Sequence, residues 1–272
     1  MIEISKKLCY NQDKGRKGTE VNRTMLAEER MRAILEILER KRAASVAELC
    51  LETGASEATI RRDLNELDRQ GKISKVHGGA VLPQEEFEAQ EPDVQVKSQR
   101  NIEQKERIAR YAAAQIQDDD FVFIDAGTTT LRMADYLGGS KATFVTTGIE
   151  CAKKLVEKGL RVYVPGGMLK PGTQALVGAV TRESLAKYNF TKAFIGTNGV
   201  TVKQGFTTPD TEEASIKTLA VERSYLSYVL ADSSKFGKVS AVTICPLSKA
   251  CILTDQMPDD SYAGKTIIKE VD

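Results

Sequence analysis

Apolar residues recur at helical spacing in the first third of the chain and in short unbroken runs beyond it, which predicts two architectures on one polypeptide. In "LAEERMRAILEILERK", Met31, Ile34, Leu35 and Leu38 form one stripe and predict an amphipathic helix. "SVAEL" follows, with Ser45 and Glu48 spaced as a capping box and Val46, Leu49 and Cys50 on the buried face. "TGAS" is a glycine-centred turn. The next stretch, "SEATIRRDLNEL", reads as a third helix capped by Ser56, with Ile60, Leu64 and Leu67 on one side and Ala58, Arg62 and Asn65 opposite. "GKISKVHGGAVLP" predicts two short strands around a glycine pair, stopped at Pro83. Helix, capped short helix, tight turn, third helix and a two-stranded wing give the order of a winged helix-turn-helix.

The texture changes from about residue 102. "IEQKERIARYAAAQI" places Ala109, Ala112, Ala113 and Ile116 on one helical face. After it, "FVFIDAGTTT", "TFVTTG", "RVYVPGG", "AFIGTNGV", "YVLADSS" and "ACILTD" each run an apolar strand into a glycine- or hydroxyl-rich turn. Helical stretches at 129–137, 149–158 and 211–223 separate several of them. Strands alternating with helices predict an α/β domain with a mainly parallel sheet, whose ligands collect beyond the carboxyl ends of the strands. The expected organisation is a disordered basic arm at 1–24, a DNA-binding unit at 25–83, a linker at 84–101, and an effector-binding and oligomerisation domain at 102–272. The arm carries Lys6, Lys7, Lys14, Arg16, Lys17 and Arg23 without periodicity, and the linker is polar and uneven.

Composition narrows the chemistry. The 272 residues are 41% apolar and carry a formal net charge of +1, so any grip on a polyanion must come from a local patch. Five scattered cysteines without a C-x-x-C pair argue against a disulfide framework or a zinc site, and fit a reducing cytosol. With no long apolar run, neither a membrane span nor a signal peptide is expected, and the predicted location is cytoplasmic.

The third helix can read DNA. Helices of this type present their first turns to base edges in the major groove, so Ala58, Thr59, Arg62 and Asn65 are groove candidates, with Ser56 capping the helix end. Arg bonds guanine bidentately and Asn does the same for adenine. Arg61, Lys72, Lys75 and His77 suit phosphates or the minor groove, and Gly78 and Gly79 let the wing backbone approach closely. The competing reading is a solvated face, with Asp63 and Glu66 as ion-pair partners of the arginines. Residues 25–82 hold ten basic and ten acidic residues, but the acids crowd the first helix and the far end of the third. The start of the third helix and the wing are left basic, so double-stranded operator DNA is the expected partner.

The N-terminal pattern "LAEERMRAILEIL…SVAEL…TGASEATIRRDLNELDRQGKISKVHGGAV" resembles the DeoR/GlpR family of bacterial sugar-metabolism regulators. The likeness continues through "DAGTTT", "TTG", "PGG", "GTNGV", "TEEASIK" and "ADSSKFG", from about 25 to 255. It implies an α+β winged helix-turn-helix N-terminal domain joined to an α/β C-terminal domain resembling ribose-5-phosphate isomerase and CoA-transferase. It also implies a homo-oligomeric repressor of a sugar-utilisation operon, released by a phosphorylated sugar. The general texture is most like the fructose-operon branch, pointing to fructose 1-phosphate.

For the effector, the residues and the resemblance agree on "DAGTTT". Gly127 can bring backbone N–H groups to an anion, and Thr128, Thr129 and Thr130 add hydroxyls, although one threonine serving as a helix cap is the simpler role. Asp125 and Asp232 can accept from sugar hydroxyls, and Lys235 can reach a phosphate. The resemblance adds Thr147, Gly148, Gly166, Gly167, Asn198, Gly199, Glu212 and Lys217. Glu213 and Lys217 are also four apart, the spacing of an ordinary intrahelical pair. An isomerase-like enzyme with a fused DNA-binding domain is the alternative. It would need a carboxylate base where "GTNGV" offers Asn198, so neither catalytic residues, metal ligands nor a cofactor are expected.

Overall fold

The computed structural model describes residues 26–82, 86–88 and 93–272, so the expected basic arm lies outside the described residues. The chain divides into two units, residues 1–84 and 85–272.

In the first unit, helix α1 (Ala27–Lys41) leads through strand β1 (Ala43–Ser45) to α2 (Val46–Thr53) and α3 (Glu57–Arg69). The wing strands β2 (Ser74–Val76) and β3 (Gly79–Val81) follow. The Ser45–Glu48 capping box forms as spaced: the Ser45 N–H donates to Glu48 at 2.8 Å and the Glu48 N–H to Ser45 Oγ at 3.2 Å. Gly54 ends α2 at φ +69°, the left-handed conformation that the turn needs. Ile34, Leu38, Leu49, Ile60, Leu64, Leu67 and Ile73 fill one core.

The wing differs from expectation in having a third strand, because β1 pairs antiparallel with β3, Ala44 opposite Ala80. That pairing redefines Gly79. A Cβ there would sit 2.3 Å from the Ala44 carbonyl oxygen, so the close packing of β1 on β3 requires a glycine at this buried position. Asp63 is likewise corrected. It is buried and accepts two hydrogen bonds from the Arg30 guanidinium of α1, at 2.5 and 3.1 Å, instead of meeting the surface arginines.

The second unit is built on a seven-stranded, wholly parallel sheet. Its order runs 268–270, 251–254, 224–230, 190–196, 121–124, 143–146, 161–163. Alternate residues enter different cores: Phe123, Val145 and Ile195 one, Val122, Ile124, Phe144 and Phe194 the other. Burial on both faces explains why these strands read as continuous apolar runs. The helices observed are α4 (Val94–Ser98), α5 (Ile102–Ala113), α6 (Thr128–Met133), α7 (Ile149–Glu157), α8 (Ala179–Leu185) and α9 (Thr211–Glu222). A three-stranded antiparallel sheet, 199–201, 205–208 and 242–245, adds to this frame and has no strong alternation in sequence.

Two features place the site. The chain order runs outward in opposite directions from the adjacent strands 121–124 and 190–196, which makes their carboxyl ends the topological switch point. Within 84–101, read as a linker from polarity, the described residues 86–88 and 93–101 carry secondary structure of the second unit. Glu86–Glu88 pairs with Lys238–Ser240, and α4 is anchored where the Val94 N–H donates to the Gly172 carbonyl at 3.1 Å. Tertiary hydrogen bonds, not apolar periodicity, order this segment.

Candidate functional site

The face of α3 expected to read DNA is exposed. Ser56 caps the helix, accepting the Thr59 N–H at 3.3 Å, and its hydroxyl lies 2.9 Å from that of Thr59. Ala58, Arg61, Arg62 and Asn65 are exposed beside it. Arg61 is held by Glu57 through Nε at 3.0 Å, and Glu66 is engaged by Arg69 and Gln70. Among the described residues Arg62 makes no ion pair or side-chain hydrogen bond, so its guanidinium carries the uncommitted charge of this face. Lys75 of the wing donates to Asn65 Oδ1, tying β2 to the reading helix. His77 and Gly78 are exposed at the wing tip, and Gly78 takes φ +82° with open space around it.

In the second unit a cavity opens at the switch point, between the loops 125–128 and 196–198. The Gly127, Thr128 and Thr129 turn forms one wall, Asn198 and Thr197 another, and Asp232, Ser234 and Lys235 a third. Six cations line it, Lys97, Arg100, Lys105, Lys217, Lys235 and Lys238, against the carboxylates of Glu213 and Asp232. That excess suits an anionic ligand, while the acids and amide suit hydroxyls.

Several residues expected at the effector site have partners within the protein. Asp125 is 3% exposed and accepts from the Gly196 N–H at 2.9 Å and from Lys217 Nζ, so it ties both switch-point strands to α9. Thr130 is fully buried and is the cap of the three threonines: its hydroxyl accepts the Gly127 N–H at 2.9 Å. Gly199 lies against the Lys238 carbonyl, where a Cβ would approach to 2.3 Å. Gly167, at φ +139°, packs on Thr181 of α8, and the Thr181 hydroxyl donates to the Gly166 carbonyl at 2.8 Å. Thr147 is buried and its carbonyl accepts from Leu176, while a Cβ at Gly148 would come within 3.2 Å of Ala126 Cα. Glu212 is exposed and does not line the cavity. Its neighbour Glu213 does, accepting from Lys170 at 2.9 Å and Thr173 at 2.7 Å.

Polarity alone did not reveal Lys97, Arg100, Asn101 and Lys105, which the ordered 94–105 segment carries over the cavity. The signal available was the cluster of cations in "KSQRNIEQK". Burial pushes the Lys105 ammonium down to about 8; Asp232 partly restores it, and Lys235, Lys97 and Arg132 oppose it. Burial pushes the Cys151 and Cys245 thiols up to about 12, which leaves both as inert thiols. Among the described residues no cluster of three His, Cys, Asp or Glu could hold a metal, and no helix is long and apolar enough to cross a membrane.

The chain matches two family models: the DeoR-like helix-turn-helix domain over residues 30–86 and the DeoR C terminal sensor domain over residues 100–256. It is 39% identical to an uncharacterized HTH-type transcriptional regulator FruR of Bacillus subtilis, over 91% of this chain and 99% of that one. To the HTH-type transcriptional regulator GlpR of Haloferax volcanii it is 35% identical, with the same two coverages. A lactose phosphotransferase system repressor of Staphylococcus epidermidis is 34% identical over 84% of this chain and 91% of its own. Among solved structures, ribose 5-phosphate isomerase A of Methanocaldococcus jannaschii overlaps 50% of this chain and 55% of its own, at 15% identity and a TM-score of 0.38. An exposed third helix with an uncommitted arginine, a polar cavity with cationic walls, and full-length likeness to regulators lead to one statement: this chain belongs to the DeoR family of helix-turn-helix transcriptional regulators.

Proposed function

We propose that the chain is a cytoplasmic, homo-oligomeric repressor of a sugar-utilisation operon, released from double-stranded operator DNA when fructose 1-phosphate fills the switch-point cavity. The observation that carries this reading is the cavity itself, six cations and two carboxylates in a chain that also bears an exposed reading helix. A relative named as a lactose phosphotransferase system repressor supports control of a sugar system. Two or more reading helices would engage half-sites about 10 bp apart or a multiple of that. To empty an operator that is nearly full, the effector must favour the released state by about 5 kcal/mol.

The full-length protein should gain about 2.7 kcal/mol of stability in a thermal-shift assay at a hundred times the dissociation constant of its effector. The same compound should then release a labelled operator fragment. Sugar phosphates that neither stabilise the protein nor release DNA overturn the reading. Arg62→Ala is expected to weaken operator binding by about 1–3 kcal/mol and relax preference at one base pair, measured by fluorescence anisotropy on a set of operator variants. An equal loss on every sequence would instead assign Arg62 to a phosphate.

Effector affinity should also depend on pH. An anion in the cavity raises the Lys105 pKa, so above pH 8 binding must take up a proton. Affinity is therefore full below that range and falls as pH rises through about 8. At the acid end it falls again below about pH 6, where a phosphate monoester loses its second charge. Calorimetric titration between pH 5.5 and 9.5 reads both limbs.

A further inference from the structure

The parallel sheet of the sensor unit ends at strand 161–163, which among the described residues is paired on one side only, with 143–146. An open strand edge is a template for another strand, and folded chains usually cover it or charge it. This edge is flanked by apolar side chains instead. Tyr163, Val164, Met168 and Val180 of α8 are 45–61% exposed, and a Cβ at Gly166, just past the strand, would touch Val180 at 3.4 Å. The Tyr163 ring is backed by Phe121 and Tyr188, at centroid distances of 6.4 and 6.3 Å. Together the four exposed side chains leave roughly 400 Å² of mostly apolar surface in water, the size of patch that marks an interaction site.

The patch carries its own complement. Arg161 and Tyr163 are two apart on the strand and therefore share a face. Arg161 is exposed, and among the described residues it makes no ion pair or side-chain hydrogen bond. Gly159 turns the chain at φ +75° before the strand, and Pro165, which has no N–H, stops pairing after it. The segment left for pairing is 160–164, and its midpoint is Val162. A two-fold axis through Val162 sets two copies of this segment antiparallel, with Arg161 opposite the partner's Tyr163. The contact is made twice, each guanidinium meeting an aromatic face.

Resting on the homo-oligomer proposed above, we infer that strand 161–163 is an interface with a second copy of this chain, joined edge to edge about Val162 into one sheet that is continuous across both copies. Doubled by the axis, and with the Arg161 side chains included, the contact buries roughly 1,000 Å², the area at which an association becomes specific. Each such dimer carries two reading units.

The test is sedimentation velocity of the full-length protein over a concentration series. Tyr163→Lys sets two pairs of like charges opposite one another and removes both aromatic anchors, so the dimer dissociation constant should rise at least about thirty-fold. Tyr163→Glu removes the same rings but faces each new carboxylate with the partner's Arg161, and should associate within about tenfold of the parent. Arg161→Glu combined with Tyr163→Lys swaps the pair and should do the same. A residue needed only for its own fold would not answer to the sign of the charge in this way, and each variant should keep the parent's circular dichroism spectrum. Independently of those variants, Val162→Cys should be captured as a covalent dimer by a short bismaleimide, because the axis brings the two copies of position 162 together. The parent treated alike sets the background from its own five cysteines. A dimeric parent whose Tyr163→Lys and Tyr163→Glu chains associate equally, or whose Val162→Cys chain is captured no more than the parent, overturns this interface and leaves the homo-oligomer standing. A parent that sediments as a monomer at every concentration overturns both.

Discussion

Lys217→Met is expected to destabilise the sensor unit by about 3–5 kcal/mol, because it strands the Asp125 carboxylate in the interior. Both side chains are about 5% exposed or less, and among the described residues Asp125 Oδ2 would keep the Gly196 N–H as its donor. Urea unfolding of the full-length protein, followed by a signal from the sensor unit, measures the loss. Asp125→Asn in the same chain should recover most of it, since a neutral amide no longer requires a counter-charge. If the single variant unfolds at the parent's midpoint, the pair is not a stabilising cross-brace. The consequence for the site is direct. Asp125 joins the ends of strands 121–124 and 190–196 to α9, so losing its partner slackens the turn that forms a cavity wall.

Asp63→Ala is the corresponding experiment in the reading unit, with an expected cost of about 3 kcal/mol. It leaves the Arg30 guanidinium buried without the bidentate carboxylate that burial calls for, and the hydrogen bond to Asp63 is what raises the Arg30 pKa. A domain of this size has only a few kcal/mol to lose, so operator binding should fail at 37 °C while sensor unfolding is unaffected. Replacing both partners, Arg30→Met with Asp63→Leu, should restore folding because the mutual need for charge is gone. Circular dichroism melts of the variants separate a folding defect from a lost DNA contact.

The reading unit was legible because its determinants are local. The Ser45–Glu48 cap, the Gly54 turn, the Ser56 cap and the stripe of Ile60, Leu64 and Leu67 are all set by residues within one or two helical turns. What escaped was non-local. "AAS" at 43–45 has too few residues to show alternation, and it becomes a strand only because β3 is there to pair with it. The direction of Asp63 was misjudged for a related reason: position 63 lies at the edge of the apolar stripe, and its partner is 33 residues away.

In the sensor unit the strand–turn pattern located the switch point, and "DAGTTT" lies in one of the loops at it. It could not distinguish Thr130, the cap, from Thr128 and Thr129, which line the cavity, since all three are equally able to cap. Asp125 and Lys217 are 92 residues apart, and nothing local in either motif announces that they neutralise one another. The 94–105 segment was hidden by its polarity. Residues that cover a hydrated cavity look in sequence like residues that cover nothing.

The strand order has a bearing on synthesis. Among the described residues the reading unit's core is filled by side chains between 31 and 82, whereas the sensor's sheet is finished at one edge by Ile268–Glu270, which is translated after every other strand of that sheet. A nascent or prematurely ended polypeptide therefore presents a finished groove-reading surface while the compartment that would answer to a metabolite is still missing its final strand. Stalling before that strand would leave a finished first unit attached to a sheet still open at one edge.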